Sequence, residues 1–223
     1  MPEANRNALW AEHECRPWHD ALESYPRVIE EHGSDKLSNL DRWFSEDLPA
    51  AIRAREVPCI HLDELQGIAA WKMSRGVWRE RNRVLIATNS PESVERASTQ
   101  AFAAVPDPRA PIAALSSLAG VGPATASAAL AAYAPDIYPF FDEVVAAQIP
   151  GLGPVAFTAK YYAAYSDALR ERAAQLSSRC PDTPWTAHGV AQALWAWAGG
   201  KLGQGASSAD RAATPAPGTL RAD

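Results

Sequence analysis

Apolar residues recur along almost the whole of this chain at steps of three and four, and no run of alternating β-branched residues is long enough for a sheet. That period predicts an all-α fold. Leu37, Leu40, Trp43, Phe44, Leu48, Ala51 and Ile52 form one apolar stripe against charged faces, and Leu62, Leu65, Ile68 and Trp71 repeat it over 62–74. Residues 17–31 read as a helix broken near Tyr25-Pro26 and stopped at His32-Gly33, with the next one starting at Ser34 or Asp35. Ser90-Pro91-Glu92 combines a cap, a first-turn proline and an acid against the dipole, which starts a helix running to about Ala104. Short helices follow over 112–118 and 123–133, then a helical segment over 141–149. A long helix is expected over 155–178 and a last one over 186–198.

Composition narrows the class. With 223 residues and 47% of them hydrophobic, the chain is not disordered throughout and is long enough to bury a core without staples. The organisation predicted is a helical subdomain over 1–108, a second one with closing helices over 109–198, and a disordered tail over 199–223, where apolar content is low. The three cysteines, Cys15, Cys59 and Cys180, show no CxxC spacing. They predict a reducing, cytoplasmic setting without a disulfide framework, zinc or iron–sulfur site. The first fifteen residues meet charge every few positions, which predicts neither a secretion signal nor an anchor. The charge-free stretch from Ala110 to Pro135 is long enough to cross a bilayer, but Gly120-Val121-Gly122-Pro123 interrupts it, so a helical hairpin is the better reading. A formal charge of -5 excludes wholesale coating of nucleic acid while leaving room for a local basic strip.

The sharpest feature is the run from Leu115 to Leu130, two short helices joined through Gly120-Val121-Gly122. Glycines there permit positive φ and close backbone approach, and the second helix would offer unpaired N–H groups to a phosphate oxygen. Leu118 and Val121 should close the turn against the core. A second feature lies between Lys72 and Arg83, where five basic residues, Lys72, Arg75, Arg79, Arg81 and Arg83, meet a single acid, Glu80. With Trp71 and Trp78 interleaved, such a strip suits phosphates and an unstacked base.

The segment Leu118-Ala-Gly120-Val121-Gly122-Pro-Ala-Thr125-Ala resembles the helix-hairpin-helix motif, LxGVGxxTA, which holds the DNA backbone without reading sequence. Tyr138-Pro-Phe-Phe-Asp142 follows Gly122 by about twenty residues, where the helix-hairpin-helix DNA glycosylases place their catalytic aspartate. The likeness covers roughly 110–149, and the pattern from Trp71 to Arg79 upstream resembles a little-described family of helix-hairpin-helix proteins. It implies a monomeric DNA-binding glycosylase, nucleoid-associated or nuclear, that hydrolyses the N-glycosidic bond of a damaged base. The implied roles are catalysis by Asp142; backbone contact through Leu118, Gly120, Val121, Gly122, Thr125 and the basic strip; and a base pocket made by Trp71, Trp78 and Glu143. Neither metal nor other cofactor is implied, and DNA is the partner. Ala124 stands where strand-cleaving relatives carry lysine, so the implied enzyme is monofunctional. FFDEVV stands where VDTHV is commoner.

Plainer roles remain open for the same residues. The hairpin could pack helices or bind protein, Asp142 could cap a helix, and the strip could be a solvated helix face. Trp71 and Trp78, seven apart, could both face the core. The alternative function is a non-catalytic DNA-binding or protein-interaction module. His13, Cys15 and His19, or Cys59 with His61, match no established metal spacing. Tyr161, Tyr162 and Tyr165 read as a packing stripe on the long helix.

Overall fold

A computed structural model describes residues 8–32 and 35–200, and among these every regular element is helical. The predicted tail beyond Gly200 lies outside the described residues. Four helices open the chain: α1 (Ala8–Ala11), α2 (Cys15–Glu23), α3 (Tyr25–His32) and α4 (Asp35–Arg42). The break between α2 and α3 falls at Ser24, beside the expected Tyr25-Pro26. The single helix expected over 35–52 is instead interrupted by a π-helical turn, Trp43–Asp47, before α5 (Leu48–Ala54). The wider turn keeps Phe44 and Leu48 both buried. It also leaves Trp43 against Gly67, where an added Cβ would stand 2.6 Å from the indole.

Next come α6 (Leu62–Ser74), at its expected bounds, and α7 (Glu80–Ala87), which periodicity did not predict. Only Ile86 of α7 is fully buried, while Val84 and Leu85 stay exposed, so no apolar stripe marks it. In α8 (Pro91–Ala103) the Ser90 hydroxyl accepts from the Ser93 N–H at 3.2 Å, the cap read from sequence. The charge-free stretch becomes α9 (Ala110–Ser116) and α10 (Pro123–Tyr133) joined by a short turn; among the described residues no helix is long and apolar enough to cross a membrane. The segment expected helical over 141–149 has no regular structure at Phe141, is extended at Asp142 and holds only α11 (Glu143–Ala146). The long helix starts later than expected, as α12 (Ala159–Arg179), because Thr158 caps it by accepting from the Tyr161 N–H. The last helix is α13 (Ala187–Trp197).

One continuous core runs from Leu9 to Ala196, since α13 packs on both α2 and α12. The two stretches read as subdomains therefore share an interior. Trp18, Trp71 and Trp195 are fully buried within it. The expectation of unpaired cysteines is corrected: Cys15 at the start of α2 and Cys180 after α12 form a disulfide across 165 residues. Nothing local in either neighbourhood announces the partner, because the pairing is made by the fold bringing the start of α2 against the α12–α13 connection. Cys59 stays free.

Candidate functional site

A cavity of about 370 Å³ opens between the α6–α7 connection, the N-terminus of α10 and the segment before α11. Lys72, Arg75, Gly76, Val77, Arg79 and Asn82 supply one wall. Gly122, Pro123, Ala124 and Thr125 supply the second, and Phe140, Phe141, Asp142, Glu143 and Phe157 the third. Residues singled out from sequence in three separate stretches thus meet in one place.

The turn before α10 is fixed from below. Leu118 and Val121 are buried, as expected, and Gly120 has φ +76°. A Cβ on Gly120 would lie 2.8 Å from the Asn82 carbonyl and 2.9 Å from the Leu85 Cβ, so this glycine permits both the left-handed backbone and contact with α7. Gly120 consequently faces protein. Asn89 completes the clamp, its Oδ1 accepting from the Ala119 N–H at 2.9 Å and its Nδ2 donating to the Ala119 carbonyl at 3.0 Å. Gly122 is exposed at the cavity and caps α10 in extended conformation, leaving the first helical turn to face the opening.

Asp142 is 8% exposed and caps α11, its Oδ1 accepting from the Val144 N–H at 2.8 Å. Its position is set by α12 and α10. The Phe141 N–H donates to Ser127 Oγ, while the hydroxyls of Tyr162 and Tyr165 donate to the carbonyls of Pro139 and Phe140. Burial pushes both tyrosine hydroxyls well above their ordinary range, so they stay protonated donors. The tyrosine stripe of α12 is therefore packing, and it splints the segment that carries Asp142.

Behind the carboxylate lies Arg75, only 4% exposed. Its Nη2 stands 3.7 Å from Asp142 Oδ2 and its Nη1 3.8 Å from Asp41 Oδ1, and Nη1 also donates to the Tyr25 hydroxyl. Asp41 Oδ1 accepts from Tyr25 and from Trp71 Nε1, each at 2.8 Å. Four rings enclose the guanidinium carbon: Trp195 at 4.2 Å, Trp71 at 4.9 Å, Tyr25 at 5.5 Å and Phe140 at 5.6 Å. Such a cage favours a delocalised, weakly hydrated cation. Sequence reasoning placed Arg75 on a basic strip and missed Asp41 and Tyr25; their pairing across the fold left no local signal.

The strip itself divides. Lys72 and Arg79 border the cavity, whereas Arg81 and Arg83 are exposed outside it. Arg83 pairs with Glu80, whose carboxyl is held down to about 2 by hydrogen bonds from Arg83 and Trp78. Trp71 is corrected from pocket wall to core: it is fully buried and stacks on Phe44 with centroids 3.7 Å apart. Trp78 is exposed beside the cavity without bordering it, donates to Glu80 at 3.0 Å, and carries Lys36 over its ring. Glu143 borders the cavity, half-buried. Lys160 is exposed and stands outside it. Among the described residues no group of three metal-ligating side chains gathers, and the disulfide removes Cys15 from any such set.

His188 closes the back of the site by accepting the Phe140 N–H on Nδ1 at 3.3 Å. Burial, reinforced by the Arg75 charge, pushes its pKa down to about 3. The folded state therefore refuses a proton that the unfolded chain takes up near the ordinary pKa of about 6.5. Stability from this group is complete above that value and is lost as the pH falls towards about 3, with a slope of at most about 1.4 kcal/mol per pH unit. Urea melts between pH 7 and 4 should follow that slope, and His188→Gln should flatten it.

Comparison of the chain with protein-family models, with curated proteins and with solved structures finds no match in any of the three. The reading of the site rests on its residues.

Proposed function

We propose that this chain is a monofunctional DNA glycosylase: it binds DNA across the cavity and hydrolyses the N-glycosidic bond of a damaged or modified base, with Asp142 as the catalytic carboxylate. The observation that carries the reading is the convergence, around one cavity of about 370 Å³, of Asp142, the N-terminus of α10 and the cations Lys72 and Arg79. A phosphate would sit at the first turn of α10, where the helix dipole and the N–H groups of Gly122 and Ala124 favour an anion, since Pro123 has no N–H and Thr125 donates its own to the Gly122 carbonyl. The target nucleotide would leave the stack to bring its sugar to Asp142. There the carboxylate stabilises the oxocarbenium-like charge that grows as the bond to the base breaks, and water completes the hydrolysis.

The helix cap gives this assignment a clean test. Asparagine caps about as well as aspartate and Arg75 keeps Asp41 as a counter-charge, so Asp142→Asn should keep the fold and DNA affinity, at some cost in stability, while removing the negative charge. Oligonucleotides carrying alkylated, deaminated or oxidised bases are incubated with the protein and treated with alkali to reveal abasic sites. Wild type should cleave at one lesion class and the variant about 10²- to 10³-fold more slowly. Full activity in the variant would remove Asp142 from the chemistry.

One observation favours a second reading. Both carboxylate oxygens already have protein neighbours, Val144 N–H and Arg75. A non-catalytic DNA-binding or protein-interaction module would use Asp142 only to hold this corner. A DNA-binding module predicts no abasic product from any substrate, with DNA affinity that falls as salt rises, by a slope of about 0.9 per phosphate neutralised.

A further inference from the structure

A pocket for an unstacked base needs an aromatic face open to the cavity, and the two tryptophans expected to supply it do not. Trp71 is fully buried, and Trp78 stands outside the cavity with Glu80 and Lys36 engaged on it. Phe140 and Phe141 border the cavity but are 5% and 1% exposed, their rings spent on the core. Phe157 alone among the aromatic residues bordering the cavity has an open ring, 50% exposed.

The exposure is imposed by its surroundings. Phe157 sits in the 150–158 loop, whose neighbours Leu152 and Val155 pack on the core. Tyr161 donates its hydroxyl to the Gly153 carbonyl at 3.3 Å, and the Thr158 N–H donates to the Ala156 carbonyl at 2.7 Å. The loop is thus tied on both sides of the one large apolar side chain it turns outward. One side of the Phe157 ring rests on Phe141, centroids 5.2 Å apart and planes tilted by 42°, and Phe141 immediately precedes Asp142. The ring is therefore supported on one side by Phe141 and borders the same cavity as Asp142.

We propose that Phe157 is the stacking platform of the cavity, receiving the planar face of a nucleobase whose sugar lies at Asp142. This rests on the DNA reading above and adds to it the residue that holds the base. Stacking on an aromatic face tolerates any base, so Phe157 supplies affinity for an unstacked base while polar groups that border the same cavity, Glu143 and Asn82, choose among bases.

The test separates the platform from the DNA contact. Two duplexes are compared by fluorescence anisotropy, one with a mismatched nucleotide bearing a 2′-fluoro group that disfavours oxocarbenium formation, the other with a tetrahydrofuran abasic residue at the same position. Phe157→Leu keeps apolar bulk but loses the aromatic face; Phe157→Trp keeps the face. The leucine variant should lose about 5- to 100-fold in affinity for the base-containing duplex and nothing for the abasic one, while tryptophan retains both. Equal losses on the two duplexes, no loss on either, or a tryptophan variant as weak as leucine would overturn the platform while leaving the DNA reading standing. A wild-type protein that binds neither duplex would overturn both.

Discussion

Arg75→Met should lower the unfolding free energy by about 3–5 kcal/mol, the cost of leaving buried carboxylates without their counter-charge. Asp41 and Asp142 both lie against the guanidinium and both are nearly buried, so neither can recover its lost partner from water. Methionine fills much of the space among the four rings, which separates the loss of charge from a cavity effect. In a chain of this length a loss of that size moves the melting temperature by roughly 6–20 °C. Neutralising the carboxylates as well, with Asp41→Asn and Asp142→Asn in the same protein, should recover most of the loss, because an all-neutral replacement of a buried ionic cluster costs little. Wild-type thermal stability in Arg75→Met would mean that the carboxylates draw no stabilisation from the arginine.

Reduction of the Cys15–Cys180 bond should cost about as much. In the chain-entropy treatment a cross-link closing a loop of well over 100 residues stabilises by about 5 kcal/mol, because it restricts the unfolded ensemble. Cys15→Ser and treatment of wild type with a phosphine reductant should lower the urea midpoint to the same value, and their effects should not add. Cys59→Ser should leave the midpoint unchanged, since that thiol is unpaired. Equal midpoints with and without reductant would mean that the bond contributes nothing to the folded state.

Much of the helical framework was legible because the signals that set it are local. Pro123 after Gly122, Ser90 before Pro91 and the stripe on 62–74 fixed α10, α8 and α6 from a few neighbouring residues each. Where burial did not follow a stripe, the reading failed: α7 keeps Val84 and Leu85 in solvent and so looked like a basic connection. The π-helical turn escaped because steps of three and four continue through it. The site divides along the same line. Asp142, Gly122 and the basic residues could be picked out singly, since each sits in a recognisable stretch. Asp41, Tyr25 and His188 could not, because their roles exist only through contacts with Trp71, Arg75 and Phe140, which lie 30 to 50 positions away. Phe157 falls within the long helix expected over 155–178, so periodicity gave no sign that it stands in the loop ahead of the Thr158 cap.

The caging of Arg75 by Tyr25, Trp71, Phe140 and Trp195 draws on three helices, α3, α6 and α13, and on the segment before α11. The cleft is consequently indivisible. A fragment over 109–198 would carry the α9–α10 turn and Asp142 but expose Phe140 and Trp195 where the guanidinium and its rings had been. Grafting that stretch onto another scaffold would transfer the motif and leave behind the charge that lets it stay closed.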